Sequence, residues 1–250
     1  MQYSFYGYCS VLKVVAFGGL AMALFAGCST GVDDRIRRVY ALGRYPSEPN
    51  KTRIEASVRD ENRDVRATAL VVMETIDKER ARRMAAGALK DWDGAVRAAA
   101  VTVCGAGADA ETMRFLAAQA SVDPVWQVRS RALEAIAASD DPAVREAFVR
   151  ALSDSVRQVR RAAFRLGIEH PGLLPVDRLS NLVVSDPDWE NRVEAARALG
   201  ASKETAAYAG LDAAVADPNE FVRATAAQER RALESAGIPP TVAASLLTIR

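Results

Sequence analysis

Nucleophilic and metal chemistry draws on cysteine, histidine or an activated hydroxyl, and this sequence is poor in them. Its 250 residues include three cysteines and one histidine. A single imidazole, His170 in "GIEHPGLLP", falls short of the several that hold a catalytic zinc or iron. Glu169-His170 reads instead as a solvated turn between two periodic segments. Cys104 lies in "AAAVTVCGAG", where small apolar neighbours indicate a buried side chain rather than a nucleophile. Serines and threonines are scattered, without a Gly-x-Ser-x-Gly elbow or an evident partner for the histidine. The stretch "CGAGAD" lacks the Lys-Ser/Thr of a phosphate-cradling loop. No catalytic residue, metal ligand or cofactor is assigned, and the chain is expected not to be an enzyme.

The charged residues carry the informative spacing. Arg66, Arg97, Arg129, Arg160, Arg192 and Arg223 stand 31 or 32 residues apart, and Val precedes each except Arg192, which follows Asn191. Six residues before each stands an aspartate: Asp60, Asp91, Asp123, Asp154, Asp186 and Asp217. Three residues after each stands an alanine: Ala69, Ala100, Ala132, Ala163, Ala195 and Ala226. Asp near a turn accepts hydrogen bonds from backbone N–H groups or from Arg, so the two charged columns read as a structural ladder rather than a ligand site. The small alanine lets neighbouring helices approach closely.

The elements that position these columns are helical. Before each Asp runs an amphipathic stretch such as "ETAAYAGLDAAVAD", with Tyr208, Leu211 and Val215 on one face. The position two before each Asp is apolar in five of six repeats: Val58, Leu89, Leu152, Val184 and Val215, against Ser121. A short turn follows the Asp, with Pro124, Pro187 and Pro218 where a missing N–H costs nothing, and then the helix bearing Arg and Ala. Gly107, Gly167 and Gly200 are expected to close three of these second helices. A hairpin of about 31 residues cannot bury its apolar face alone, so the spacing predicts an all-α solenoid of about six stacked two-helix repeats with terminal capping helices.

Asp, often Asp-Pro, then Val-Arg, then Ala, with a closing "ALG" at Ala198-Leu199-Gly200, resembles the HEAT-like repeat family in the short form first associated with phycobilin lyases. The resemblance covers residues 47–234. It implies second helices lining a concave face, and it is specific for fold rather than task. Asn191 departs from the pattern and is expected to loosen the fifth repeat. HEAT-repeat hydroxylases bind iron through several His-Glu pairs, which this sequence lacks. Helix "DDRIRRVYALG" (33–43), whose Arg35 lies 31 before Arg66, reads as half of a degenerate repeat capping the N-terminal end. The stretch after Pro239-Pro240 reads as a last capping helix within 235–250.

Residues 14–27, "VVAFGGLAMALFAG", form an uncharged run after Lys13, and no acid appears before Asp33. The run is short for a membrane span and fits a secretory signal. Its end, Phe25-Ala26-Gly27-Cys28, resembles the lipobox of bacterial lipoproteins, with Phe25 where Leu is more usual. The resemblance implies cleavage between Gly27 and Cys28 and acylation of the Cys28 sulfur, so 1–27 is a signal peptide and 28–46 a linker with the first cap. Each buried CH₂ of the acyl chains adds about 0.8 kcal/mol of membrane attachment. Cys9 would leave with the signal and Cys104 would stand alone, so no internal disulfide is available. Ser29 after the cysteine, in place of a retention-marking Asp, points to the periplasmic side of the outer membrane in a Gram-negative cell. Export argues against the intracellular work of bilin lyases and HEAT-fold DNA glycosylases.

With 33 basic and 32 acidic side chains, the chain exerts no global pull on nucleic acid. Its charge varies locally. Five residues after each repeat arginine stand Val71, Thr102, Glu134, Arg165, Arg197 and Gln228, and Arg131, Arg161 and Glu194 add charge beside the middle repeats. Arg131, Arg161, Arg165 and Arg197 are therefore candidates for a partner-binding groove. Trp126 and Trp189, each three after a repeat Asp, are candidate contacts on the turn edge, where Trp92 also lies. The resulting expectation is a lipid-anchored cell-envelope scaffold or adaptor, bound to the membrane through Cys28 and to a protein partner. A chaperone-like factor for cofactor loading, a structural spacer and a binder of anionic glycans are the alternatives.

Overall fold

The computed structural model describes residues 31–105 and 107–240, so the cleavage site, Cys28 and the helix expected after Pro240 lie outside the described residues. Within them the chain is all-helical: α1 (Val32–Arg44), α2 (Glu48–Ala56), α3 (Arg63–Ile76), α4 (Lys78–Ala88), α5 (Gly94–Gly105), α6 (Ala110–Val122), α7 (Trp126–Ile136), α8 (Pro142–Ala151), α9 (Arg157–Glu169), α10 (Val176–Ser185), α11 (Trp189–Ser202), α12 (Ala207–Ala214) and α13 (Glu220–Ser235), with a 3₁₀ turn at Ser57–Arg59. No helix among them is long and apolar enough to cross a membrane.

Local chemistry sets the helix starts. Asn62, Asp77, Asp109, Asp141, Asp188 and Asn219 each cap a helix with a side-chain oxygen that accepts backbone N–H groups of the first turn. Pro142 occupies the first turn of α8, where its missing N–H has no intrahelical partner to lose. α11 ends at Lys203 in the left-handed conformation, φ 54°.

The odd-numbered helices α1 to α13 stack on one another in chain order as a continuous layer. The even-numbered helices pack against them, with α6 also on α8 and α10 on α12. The result is an α-solenoid with one core running its length. All six column alanines are fully buried, as are Val96, Val128, Val159 and Val222, so each repeat turns its Val and Ala inward and leaves the intervening Arg at the boundary. Phe148, Phe164, Leu133 and Ile136 fill the middle of the core.

Several expectations need correction. Gly107 does follow a second helix with φ +81°, but Gly167 and Gly200 lie inside α9 and α11. Their reason is close approach: a Cβ on Gly167 would collide with Leu174, and one on Gly200 with Glu229. In the apolar column two before the Asp, Leu89 and Leu152 are buried, while Val184 and Val215 are 47% and 41% exposed. Both fall at the end of their helix, where the chain turns outward before the Asp.

Gly210 in α12 gives a direct test of the close packing, because a Cβ there would stand 2.7 Å from the Ser180 Cα of α10. Gly210→Ala is expected to destabilise the fold by about 1–3 kcal/mol, since a backbone atom must move. Gly87→Ala, where nothing lies within 4 Å, should be neutral or stabilise by up to about 1 kcal/mol. Urea unfolding of the two variants measures both.

Candidate functional site

The charged columns meet across neighbouring repeats. Arg66 donates from Nε and Nη2 to the two carboxylate oxygens of Asp91, at 2.9 and 2.8 Å, and from Nη1 to the carbonyl of its own repeat's Asp60 at 2.9 Å. Arg97 does the same to Asp123 and to the Asp91 carbonyl. Arg129 with Asp154, Arg160 with Asp186 and Arg192 with Asp217 repeat the pattern, each again anchored on its own repeat's Asp carbonyl. In all six repeats one Asp oxygen also accepts the N–H two residues on, at 2.8–2.9 Å. The five carboxylates from Asp91 to Asp217 thus each close their own turn and receive the preceding repeat's guanidinium.

The rungs are substantially buried, with Arg66, Arg129 and Arg160 at most 8% exposed and Asp186 at 2%. Bidentate charge-assisted bonds hold Arg97, Arg160 and Arg192 protonated beyond their ordinary range, and the Arg192 hydrogen bond pulls the Asp217 carboxyl below its own. At the N-terminal end Arg35 joins the ladder partially, bonding Glu61 at 2.8 Å and standing 3.6 Å from Asp60.

Around this ladder lie clamps that the sequence reading missed. Arg157 pairs with Asp188 at 2.9 Å and Arg63 stands 3.6 Å from Asp93, both joining a helix start to the following turn. Lys51 bridges Glu48 and Asp77, and Arg80 binds Glu48, Glu55 and Thr52, tying α2 to the start of α4. The relevant signal was present in the capping aspartates, but their partners lie 25 to 32 residues away and no column marks them.

Asn191 reverses its expectation. It is fully buried and donates from Nδ2 to the Arg157 carbonyl at 3.2 Å while its Oδ1 faces Arg161 Nε at 3.4 Å. A valine would bury more carbon but bind neither group, so Asn191 fastens α11 to α9 rather than loosening the repeat.

The candidate binding residues divide by environment. Arg131 pairs with Glu134 at 2.9 Å and Arg197 with Glu194 at 3.3 Å, while Arg161 is engaged by Asp188 and Glu190. Arg165 alone of the four is exposed without an ion pair. The arginine surface therefore carries mixed charge, and Arg131 with Glu134 lines a shallow concavity together with Thr102 and Ala135. Trp126 is half-buried against the core. Trp189, 41% exposed, stacks on Phe221, 57% exposed, with ring centroids 5.5 Å apart and planes at 28°. Trp92 is 77% exposed and lies over the Arg66 guanidinium at 4.8 Å.

Cys104 is buried, and burial pushes its thiol up to about 11, with Arg82 acting weakly against the rise. His170 terminates α9, where its N–H bonds the Leu166 carbonyl. A groove of about 730 Å³ between α2 and α4 is lined by Val58, Arg59, Met84 and Gly87 among others.

A sequence model of the family described as HEAT repeats matches residues 50–137 and 174–248, more than half of the chain. The ladder runs without interruption through the unmatched interval, at Arg129–Asp154 and Arg160–Asp186. No curated protein matches the sequence. The solved structure of YibA from Escherichia coli is similar over 84% of this chain and 81% of its own, at 19% identity and a TM-score of 0.56. An engineered protein is similar over 74% of this chain and 97% of its own, at 18% identity and a TM-score of 0.53. Human deoxyhypusine hydroxylase in complex with glycerol aligns over 82% and 91% at 18% identity, with a TM-score of 0.39 that carries no argument. At such identities the first two likenesses carry the fold alone.

The ladder makes a pH-dependent prediction. Asp217→Asn leaves the Arg192 guanidinium without a charged acceptor and should cost about 3 kcal/mol at neutral pH. Because the native Asp217 carboxyl titrates below its unfolded value, its contribution is present at neutral pH and is lost as pH falls through the folded value. The gap between wild type and variant in urea unfolding should therefore close with acid. Arg165→Ala, away from the rungs, should change stability by less than about 0.5 kcal/mol.

Proposed function

The chain belongs to the HEAT repeats family, and from that premise we propose that it is a non-catalytic adaptor that binds a protein partner at the cell envelope, held there by acylated Cys28. The observation that carries the binding reading is the Trp189–Phe221 stack. Two large rings remain 41% and 57% exposed although a solenoid core lies beside them. Exposed aromatic pairs of this kind are enriched at the centres of protein contacts, where burying them stabilises association. Trp92, further along the turn edge, extends the same character.

Anchoring rests on the apolar run 14–27 and on Phe25-Ala26-Gly27-Cys28, with Ser29 favouring the periplasmic side of the outer membrane. Only a few residues separate Cys28 from Val32, the start of α1, so the adaptor works close to its membrane.

Cells expressing the full-length chain, cross-linked and solubilised in detergent, test the reading. Purification should recover a stoichiometric protein partner that is lost in Trp189→Ser/Phe221→Ser. Arg165→Glu/Arg197→Glu reports whether the arginines of the second helices contribute. Recovery of the chain alone, under conditions that retain other envelope complexes, overturns the adaptor. Metabolic labelling with palmitate should mark the wild type and not Cys28→Ala.

A further inference from the structure

Five ladder arginines share one bonding scheme: Nη1 is anchored on the Asp carbonyl of the same repeat, and Nε with Nη2 forms a fork that takes the Asp carboxylate of the next. Arg223 reproduces the first half of this scheme. Its Nη1 donates to the carbonyls of Asp217 and Pro218 at 2.8 and 2.9 Å. The second half is vacant: Arg223 is exposed, and no carboxylate among the described residues meets its Nε or Nη2.

The ladder spacing sets no aspartate opposite Arg223. An arginine finds its aspartate 25 or 26 residues on, and from Arg223 those positions hold Thr248 and Ile249. Residues 241–250, "TVAASLLTIR", contain no acidic side chain.

We infer that Arg223 is a docking site for an aspartate carboxylate supplied by a partner protein, which takes the place that the next repeat's aspartate holds at the other rungs. The occupied rungs specify the ligand. In each, the planar fork donates to both oxygens of one carboxylate, a geometry that a guanidinium satisfies and an ammonium does not. One of those oxygens also closes a turn on the N–H two residues on, so the matching ligand is an aspartate within a tight turn. Anchoring by two carbonyls restricts the Arg223 guanidinium before the ligand arrives, which lowers the ordering cost of binding. The inference deepens the adaptor reading by naming the chemistry of one contact.

The test uses full-length protein in detergent micelles with ¹⁵N-labelled arginine, titrated with a blocked Asp-Pro-Asn peptide that copies residues 217–219. The Arg223 Nε–H resonance is identified by its absence in Arg223→Lys. It should shift progressively as peptide is added, with the weak affinity of one exposed ion pair, and at least tenfold more weakly with Asn-Pro-Asn. Inorganic phosphate is the third probe. A shift no larger than that of exposed Arg165 overturns the proposal, and phosphate binding as tight as the Asp peptide replaces it with a general anion site. The titration reads Arg223 alone, so its failure leaves the cross-linking result to decide the adaptor reading separately.

Discussion

A guanidinium bonded to two repeats at once governs how this chain stacks. The helix layers are faced with Val, Ala and Leu, and burial of such surfaces is favourable but almost indifferent to direction. Two alanine-faced helices could slide by a turn and recover much of the same apolar contact. The bidentate bond from Arg97 to Asp123, or from Arg129 to Asp154, has no equivalent after such a slip. Apolar packing thus drives association of the hairpins, and the ladder selects one register. Desolvating the ions offsets much of their Coulomb attraction, so the distinctive contribution is geometric.

The same constraint explains where the sequence departs from its own pattern. At Asn191 an apolar contact is replaced by bonds to Arg157 and Arg161, and the buried amide is satisfied from the neighbouring helix. At Gly167 and Gly200 the missing side chain admits Leu174 and Glu229, so close approach replaces a methyl contact. Burial raises the Glu229 carboxyl, while Arg197 acts in the opposite direction. Each departure keeps adjacent helices near each other, which the rungs require.

The fold was legible because three residue types recur at fixed intervals, and periodicity survives without knowledge of contacts. The sequence identified the ladder's members, whereas the double role of each Asp, closing its turn and receiving an Arg, depends on how turns of successive repeats face one another. The surface was less legible for the same reason. Arg131, Arg161 and Arg197 look free in a linear reading, yet helical spacing and stacking bring Glu134, Glu190 and Glu194 to them. Phe221 belongs to none of the three columns. Its ring meets Trp189 of the preceding repeat only once the repeats are stacked.

Donor and acceptor of every rung belong to consecutive repeats, and each repeat carries one of each. Excising one whole period, or copying it in tandem, would therefore bring an equivalent arginine to an equivalent aspartate across the new joint. Recombination between such periods changes the protein's length while leaving the grammar of its joints intact. For a lineage carrying this chain, reach is an inherited trait that can be adjusted in single steps, and residues within the three columns are the part that must be copied faithfully.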